Sequence, residues 1–157
     1  MPEQPHTPDL GAQRAAMKKL DFLVGKWSGE ARMLRGPGEP LVLKQTEEVQ
    51  YKLGGLLLVI EGVGITDGKP SLQALGIVSY DDESGTYHMR AFNDGRFLET
   101  EVKLIDKGFT WGFALGQYRT SSAMRIDEKG NWTEFHEITI GAQAPRKYME
   151  LSVSREK

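Results

Sequence analysis

The stretch Leu20-Asp21-Phe22-Leu23-Val24-Gly25-Lys26-Trp27-Ser28-Gly29-Glu30-Ala31-Arg32-Met33 decides the fold, because the hydrophobic period changes inside it. Up to Leu23 the apolar residues Leu10, Met17, Leu20 and Leu23 recur near helical spacing. From Lys26 the period is two: Trp27, Gly29, Ala31 and Met33 alternate with Ser28, Glu30, Arg32 and Leu34. A helix is therefore predicted to stop at Gly25 and feed straight into a strand. Upstream, Thr7 can cap that helix, Pro8 suits its first position, and Asp9 favours the positive end of its dipole. Residues 1–7 read as a flexible tail ahead of a single domain over 8–157.

Downstream, turn signals recur at regular spacing: Gly36-Pro37-Gly38, Gly54-Gly55, Asp67-Gly68, Asp82 to Gly85, Asn93-Asp94-Gly95, Asp106-Lys107-Gly108, Gly116, and Asp127 to Gly130. Between them lie segments rich in Val, Ile, Tyr, Phe, Trp and Thr. About ten strands are predicted, near 26–35, 42–53, 56–66, 72–80, 86–92, 96–105, 109–115, 117–126, 131–140 and 146–155. So many short strands without intervening helices predict an all-β, closed antiparallel up-and-down barrel, with the helix plugging one end. Closure removes the sheet edges. Alternation places Phe109, Trp111, Phe113 and Leu115 on one face, and Trp132, Glu134, His136, Ile138 and Ile140 on one face. On the last strand Met149, Leu151, Val153 and Arg155 alternate with Tyr148, Glu150 and Ser152. Parity stays open over 56–66 and 86–92, where Glu61, His88 and Arg90 fit either face.

Composition excludes several classes of function. The 157 residues contain no cysteine, which removes disulfides, thiolate metal sites and cysteine nucleophiles. With 20 basic and 22 acidic residues well mixed, the net charge of −2 leaves no Lys/Arg stripe and argues against nucleic acid. Residues 1–9 lack the apolar run of a signal peptide, and no stretch is apolar enough to span a membrane. A cytoplasmic location without membrane insertion is the expectation, unless a leader has been removed.

The opening Leu20 to Glu30, a short helix running into Gly-x-Trp, resembles the calycin superfamily, which includes lipocalins and fatty-acid-binding proteins. Residues 15–157 are more narrowly similar to the bacterial domain of unknown function numbered 1579. That likeness rests on the opening, Leu53-Gly54-Gly55-Leu56, Gly76-Ile77-Val78-Ser79-Tyr80-Asp81 and the last strand ending in Arg155. The resemblance implies that Trp27 lies on the barrel floor with Arg155 stacked across it, a structural pair. The same opening resembles nitrobindin-like haem proteins. The chain departs from them where alternating glycines should follow, reading Glu30-Ala31-Arg32-Met33, and where the axial histidine should stand, reading Arg146-Lys147-Tyr148-Met149. No cofactor is expected.

The candidate chemistry is sparse. Of three histidines, His6 lies in the tail, and His88 and His136 occupy separate strands. His136 with Glu134 could make half of a metal site, but a site needs three or four convergent ligands, so no metal is expected. His136 could also serve as an acid/base. Glu134 lies ~7 Å along the strand and would orient the ring only if its side chain bent back. No nucleophile elbow, Walker loop or dinucleotide fingerprint occurs, and no catalytic residue is assigned. Asn131-Trp132-Thr133 fits a glycosylation pattern but follows a hairpin without an export signal.

The informative set is a mixture of aromatic and polar residues. Gln45, Tyr51, Trp111, Phe113, Tyr118, Glu134 and His136 are the expected ligand-binding residues, with Glu47, Met124 and Trp132 also lining the interior. The first reading is a lipocalin-like protein enclosing a small hydrophobic or amphipathic molecule. The second is a small lyase or isomerase using His136. The third is a filled barrel acting through its outer face, with Leu34, Leu56 or Phe135 forming a patch, or as a homodimer.

Overall fold

The computed structural model describes residues 2–34 and 36–157. Helix α1 spans Leu10–Met17 and tightens into a 3₁₀ turn over Lys18–Leu23. Its cap is Asp9, not the expected Thr7: the Asp9 carboxylate accepts from the Ala12 N–H at 3.0 Å. The Asp9 N–H itself donates to Asp82 at 2.9 Å, which sets the chain's direction just before the helix and leaves Thr7 and Pro8 outside.

Among the described residues ten strands follow: β1 Gly25–Met33, β2 Leu41–Lys52, β3 Leu57–Thr66, β4 Lys69–Asp81, β5 Thr86–Asn93, β6 Arg96–Ile105, β7 Gly108–Leu115, β8 Tyr118–Ile126, β9 Trp132–Ile140 and β10 Arg146–Arg155. Each pairs antiparallel with its neighbour in sequence, and β1 closes the barrel on β10 from Trp27 opposite Arg155 to Met33 opposite Met149. The expected closed barrel with one N-terminal helix is thus the observed architecture. Strand β4 begins earlier than expected because Asp67 and Gly68, both at positive φ, already make a two-residue turn.

Closure carries one inward parity around the whole barrel, since residues directly opposite in a ladder share a face. From Trp27 it passes to Glu47 and Gly62, and Ala74 lies opposite Gly62. This settles the two open strands. Leu58, Ile60 and Gly62 on β3, and Tyr87, Met89 and Ala91 on β5, face inward in register with Val78. Glu61, His88 and Arg90 face outward. His88 Nε2 lies 2.8 Å from Thr86 Oγ1, and Arg90 pairs loosely with Glu99 at 3.4 Å.

One parity expectation fails. The β9–β10 register shifts between Lys147 and Met149. This bulge turns Tyr148 off the face it would share with Glu150, bringing its ring to 5.8 Å from His136. The bulge is invisible to strict alternation because one extra residue resets it.

One end of the barrel is sealed. Met17, Leu20 and Leu23 from the helical segment are fully buried against Trp27, Leu58, Val78 and Trp132. Tyr87 and Tyr51 donate to the carbonyls of Ala16 and Met17, each at 2.8 Å, and Arg14 Nε donates to Gly54 O at 2.8 Å. Trp27 and Trp132 meet edge to face at 5.5 Å, and the Trp27 N–H donates to Leu23 O at 2.9 Å. The Arg155 guanidinium lies 4.3 Å over the Trp27 ring and donates to Val24 O at 2.6 Å and Phe22 O at 2.5 Å. Gly25 is required beneath it: its φ is +134°, and a Cβ there would stand 2.8 Å from Arg155 Nη1. Among the described residues no helix is long and apolar enough to cross a membrane.

Candidate functional site

Among the described residues no helical element plugs the other end of the barrel. Phe113, Leu115 and Tyr118 share the inward parity through their ladder with Thr120, yet they are 40%, 73% and 46% exposed. At this rim inward-facing side chains reach solvent, unlike those under the helical segment at the other end. Below them Trp111 packs edge-on against His136 at 5.6 Å. Beneath that mouth lie four buried polar side chains, Gln45, Glu47, Ser122 and His136.

These polar groups form two sets. On β8 and β9, Trp132 Nε1–H donates to Glu134 Oε2 at 2.8 Å, His136 Nε2 meets Glu134 Oε1 at 3.0 Å, and Ser122 Oγ lies 2.7 Å from His136 Nδ1. The Glu134 side chain does bend back onto the ring, the condition that strand spacing alone left open. In the neutral ring, the carboxylate on Nε2 places the proton there, so Nδ1 accepts from the Ser122 hydroxyl. On β2, Gln45 Nε2 donates to Glu47 Oε1 at 3.0 Å, while Gln45 Oε1 is buried without a partner. An unpaired buried acceptor of this kind costs ~1–3 kcal/mol. Gly62 makes room for the Glu47 carboxyl, since a Cβ there would stand 2.8 Å from Oε2.

Burial pushes the Glu47 carboxyl up to about 8, and the nearby Glu134 charge adds to the rise, against the Gln45 hydrogen bond that lowers it. At neutral pH Glu47 is mostly protonated. Burial also raises the Tyr148 hydroxyl; the Ser122 hydrogen bond lowers it and the Glu134 charge raises it further. Among the described residues no three His, Asp or Glu side chains gather closely enough to hold a metal ion.

Of the expected ligand-binding residues, the structure brings Gln45, Trp111, Glu134 and His136 to the floor and puts Phe113 and Tyr118 at the mouth. Tyr51 is elsewhere: its hydroxyl sits under the plug, on Met17 O and the Asp21 carboxylate. Ser122 and Tyr148 were not foreseen. Ser122 was legible from the alternation Tyr118, Thr120, Ser122, Met124, Ile126 once Met124 is known to be core. Leu34 and Leu56 lie at opposite ends of the barrel, and Phe135 is on its outer face under Lys147 at 5.3 Å, so they form no common patch. A separate cleft of about 670 Å³ at the sealed end mixes Lys19, Lys107 and Arg155 with Asp106, Asp127 and Glu128.

A family model described as "Protein of unknown function (DUF1579)" matches residues 12–104, from α1 through β6. No curated protein matches the chain. Among solved structures, the crystal structure of Rv2717c from M. tuberculosis is similar at 14% identity, with a TM-score of 0.67 over 90% of this chain and 98% of that one. At that identity the likeness concerns the fold alone. The family match spans Gln45 and Glu47, while Trp111, Ser122, Glu134 and His136 lie beyond it.

Proposed function

We propose that this chain, which belongs to the DUF1579 family of proteins of unknown function, binds a small amphipathic molecule in the open half of its barrel. In this reading the barrel is a calycin-like container. The observation that carries it is the exposure of inward-pointing Phe113 and Tyr118 directly above a buried polar floor. Apolar walls with a few placed polar groups are what small-molecule sites use. The ligand's apolar part packs on Trp111, Phe113 and Tyr118, and its polar end reaches Gln45, Glu134 and His136. Native mass spectrometry of freshly purified protein tests this against the denatured mass. A discrete extra mass that disappears in Trp111→Ala supports binding. A bare mass that stays bare after incubation with amphipathic compounds overturns it.

A second reading is favoured by one observation, the Ser122–His136–Glu134 chain, which is a nucleophile, a base and an orienting carboxylate in hydrogen-bond contact. Both ring nitrogens are already engaged, so proton transfer to a bound molecule would pass through the Ser122 hydroxyl. Turnover of any small ester or carbonyl compound that is abolished in both Ser122→Ala and His136→Ala would establish it.

A further inference from the structure

We infer that the polar end of the bound molecule is a cationic nitrogen donor, such as a protonated amine or amidine, seated against Gln45 Oε1 and the carboxyl of Glu47. This inference rests on the binding reading above and adds the class of ligand. The argument is an inventory of donors and acceptors on the floor. The nitrogen donors and the serine are consumed internally: Gln45 Nε2 by Glu47, Trp132 Nε1 and His136 Nε2 by Glu134, and the Ser122 hydroxyl by His136 Nδ1, which leaves the neutral O–H groups of Tyr148 and protonated Glu47. Beside Glu47 an acceptor also remains unpaired. Gln45 is 2% exposed and its Oε1 has no partner, beside a carboxyl also sunk into the wall. A buried acceptor without a donor is a place for a donor to dock.

Charge selects the same class. The Glu47 and Glu134 carboxyl groups are near enough to interact across the interior, and burial weakens the solvent screening between them. The inward-parity cation of the sealed end, Arg155, is exposed there and already held by the Trp27 ring and two carbonyls. Arg96 and Arg146 share the inward parity but sit exposed at the mouth. An anionic head group descending to the floor is repelled by the Glu134 charge and faces the Gln45 carbonyl oxygen, with the neutral O–H groups of Tyr148 and Glu47 to donate to it. A cationic nitrogen meets three acceptors. It also stabilises the ionised form of Glu47, which burial disfavours.

The test uses the whole protein and three probes of equal chain length, octylamine, octanol and octanoate, titrated at neutral pH by quenching of tryptophan emission. Octylamine is expected to bind at least ~10-fold more tightly than octanoate, with octanol between them. Glu47→Gln, close in shape to the native residue, should remove most of the amine's advantage over octanol; its melting curve verifies that it folds. Octanoate binding as tightly as octylamine overturns the inference and leaves the binding reading standing. An amine preference undiminished in Glu47→Gln also overturns it, because the selectivity then arises elsewhere on the surface. If none of the three binds, the binding reading itself fails and this inference with it.

Discussion

The two halves of the barrel are built from the same strands with the same inward alternation, and they reach opposite results. At the sealed end Trp27 and Trp132 are each 1% exposed, whereas at the mouth the inward-pointing Phe113 is 40% exposed. The difference lies outside the strands. Met17, Leu20 and Leu23 descend from the helical segment onto one rim, and no comparable element among the described residues covers the other. A barrel of this size can be filled by its own side chains, and the space above the inward Gly62 and Gly76 on β3 and β4 is taken by the Glu47 carboxyl and the Met89 sulfur. The polar residues gather at the boundary between the filled and open halves. There they pair with one another, Gln45 with Glu47, and Glu134 and Ser122 with His136, which offsets the cost of burying them.

The comparison breaks most sharply at Trp27. Trp27→Ala removes an aromatic side chain from the filled half and is expected to destabilise the fold by ~3–5 kcal/mol in chemical denaturation. A loss comparable to that of a surface substitution would mean that the sealed end is not the core.

Glu47 tests the boundary. Its folded-state pKa of about 8 lies above the ordinary value of 4.5, so the native chain keeps a proton that the unfolded chain loses across that window. Its contribution is fully present below pH 4.5 and is lost as pH rises through about 8. Glu134 supplies the neighbouring negative charge and Gln45 the opposing hydrogen bond, while Trp27 lies opposite in the ladder. Wild-type stability should fall with rising pH over this window. Glu47→Gln should flatten the profile and exceed the wild type by ~1–3 kcal/mol above pH ~9. Superimposable wild-type and variant profiles would show that the carboxyl is hydrated and the boundary open.

Smaller effects sharpen the contrast at the edges. Arg155→Ala strips the cation from Trp27 and leaves two carbonyls unpaired, and a loss of ~1–2 kcal/mol in urea melts is expected. Asp9→Ala removes the helix cap and should cost ~0.5–1 kcal/mol in the same assay. Phe113→Ala at the mouth should change stability by less than ~0.5 kcal/mol while weakening ligand capture. A loss as large as that of Trp27→Ala would mean that the mouth is packed shut.

Much of this was legible residue by residue. The change of period across Leu20 to Met33, the Asp-Gly and Asn-Gly turns, and alternating runs such as Phe109 to Leu115 are local signals that report local geometry. Gln45, Glu134 and His136 could be placed on an interior face because period-two patterning reaches polar positions once apolar ones set the phase. Tyr148 could not, because a bulge breaks the phase without leaving a mark in composition. The role of Tyr51 was equally hidden: inward parity is a property of its strand, but which end of the barrel it occupies depends on where β2 starts.

By itself the sequence determined the element order, the closed antiparallel sheet and the inward identity of most strands, because turns and alternation are set by neighbours one to four residues apart. Only the tertiary structure decided which end is sealed, that Glu134 folds back to His136, and that Gln45 Oε1 finds no hydrogen-bond partner. Those facts depend on the register between strands far apart in the chain and on the volume each side chain finds on arrival. Contacts of that kind are settled when the barrel closes.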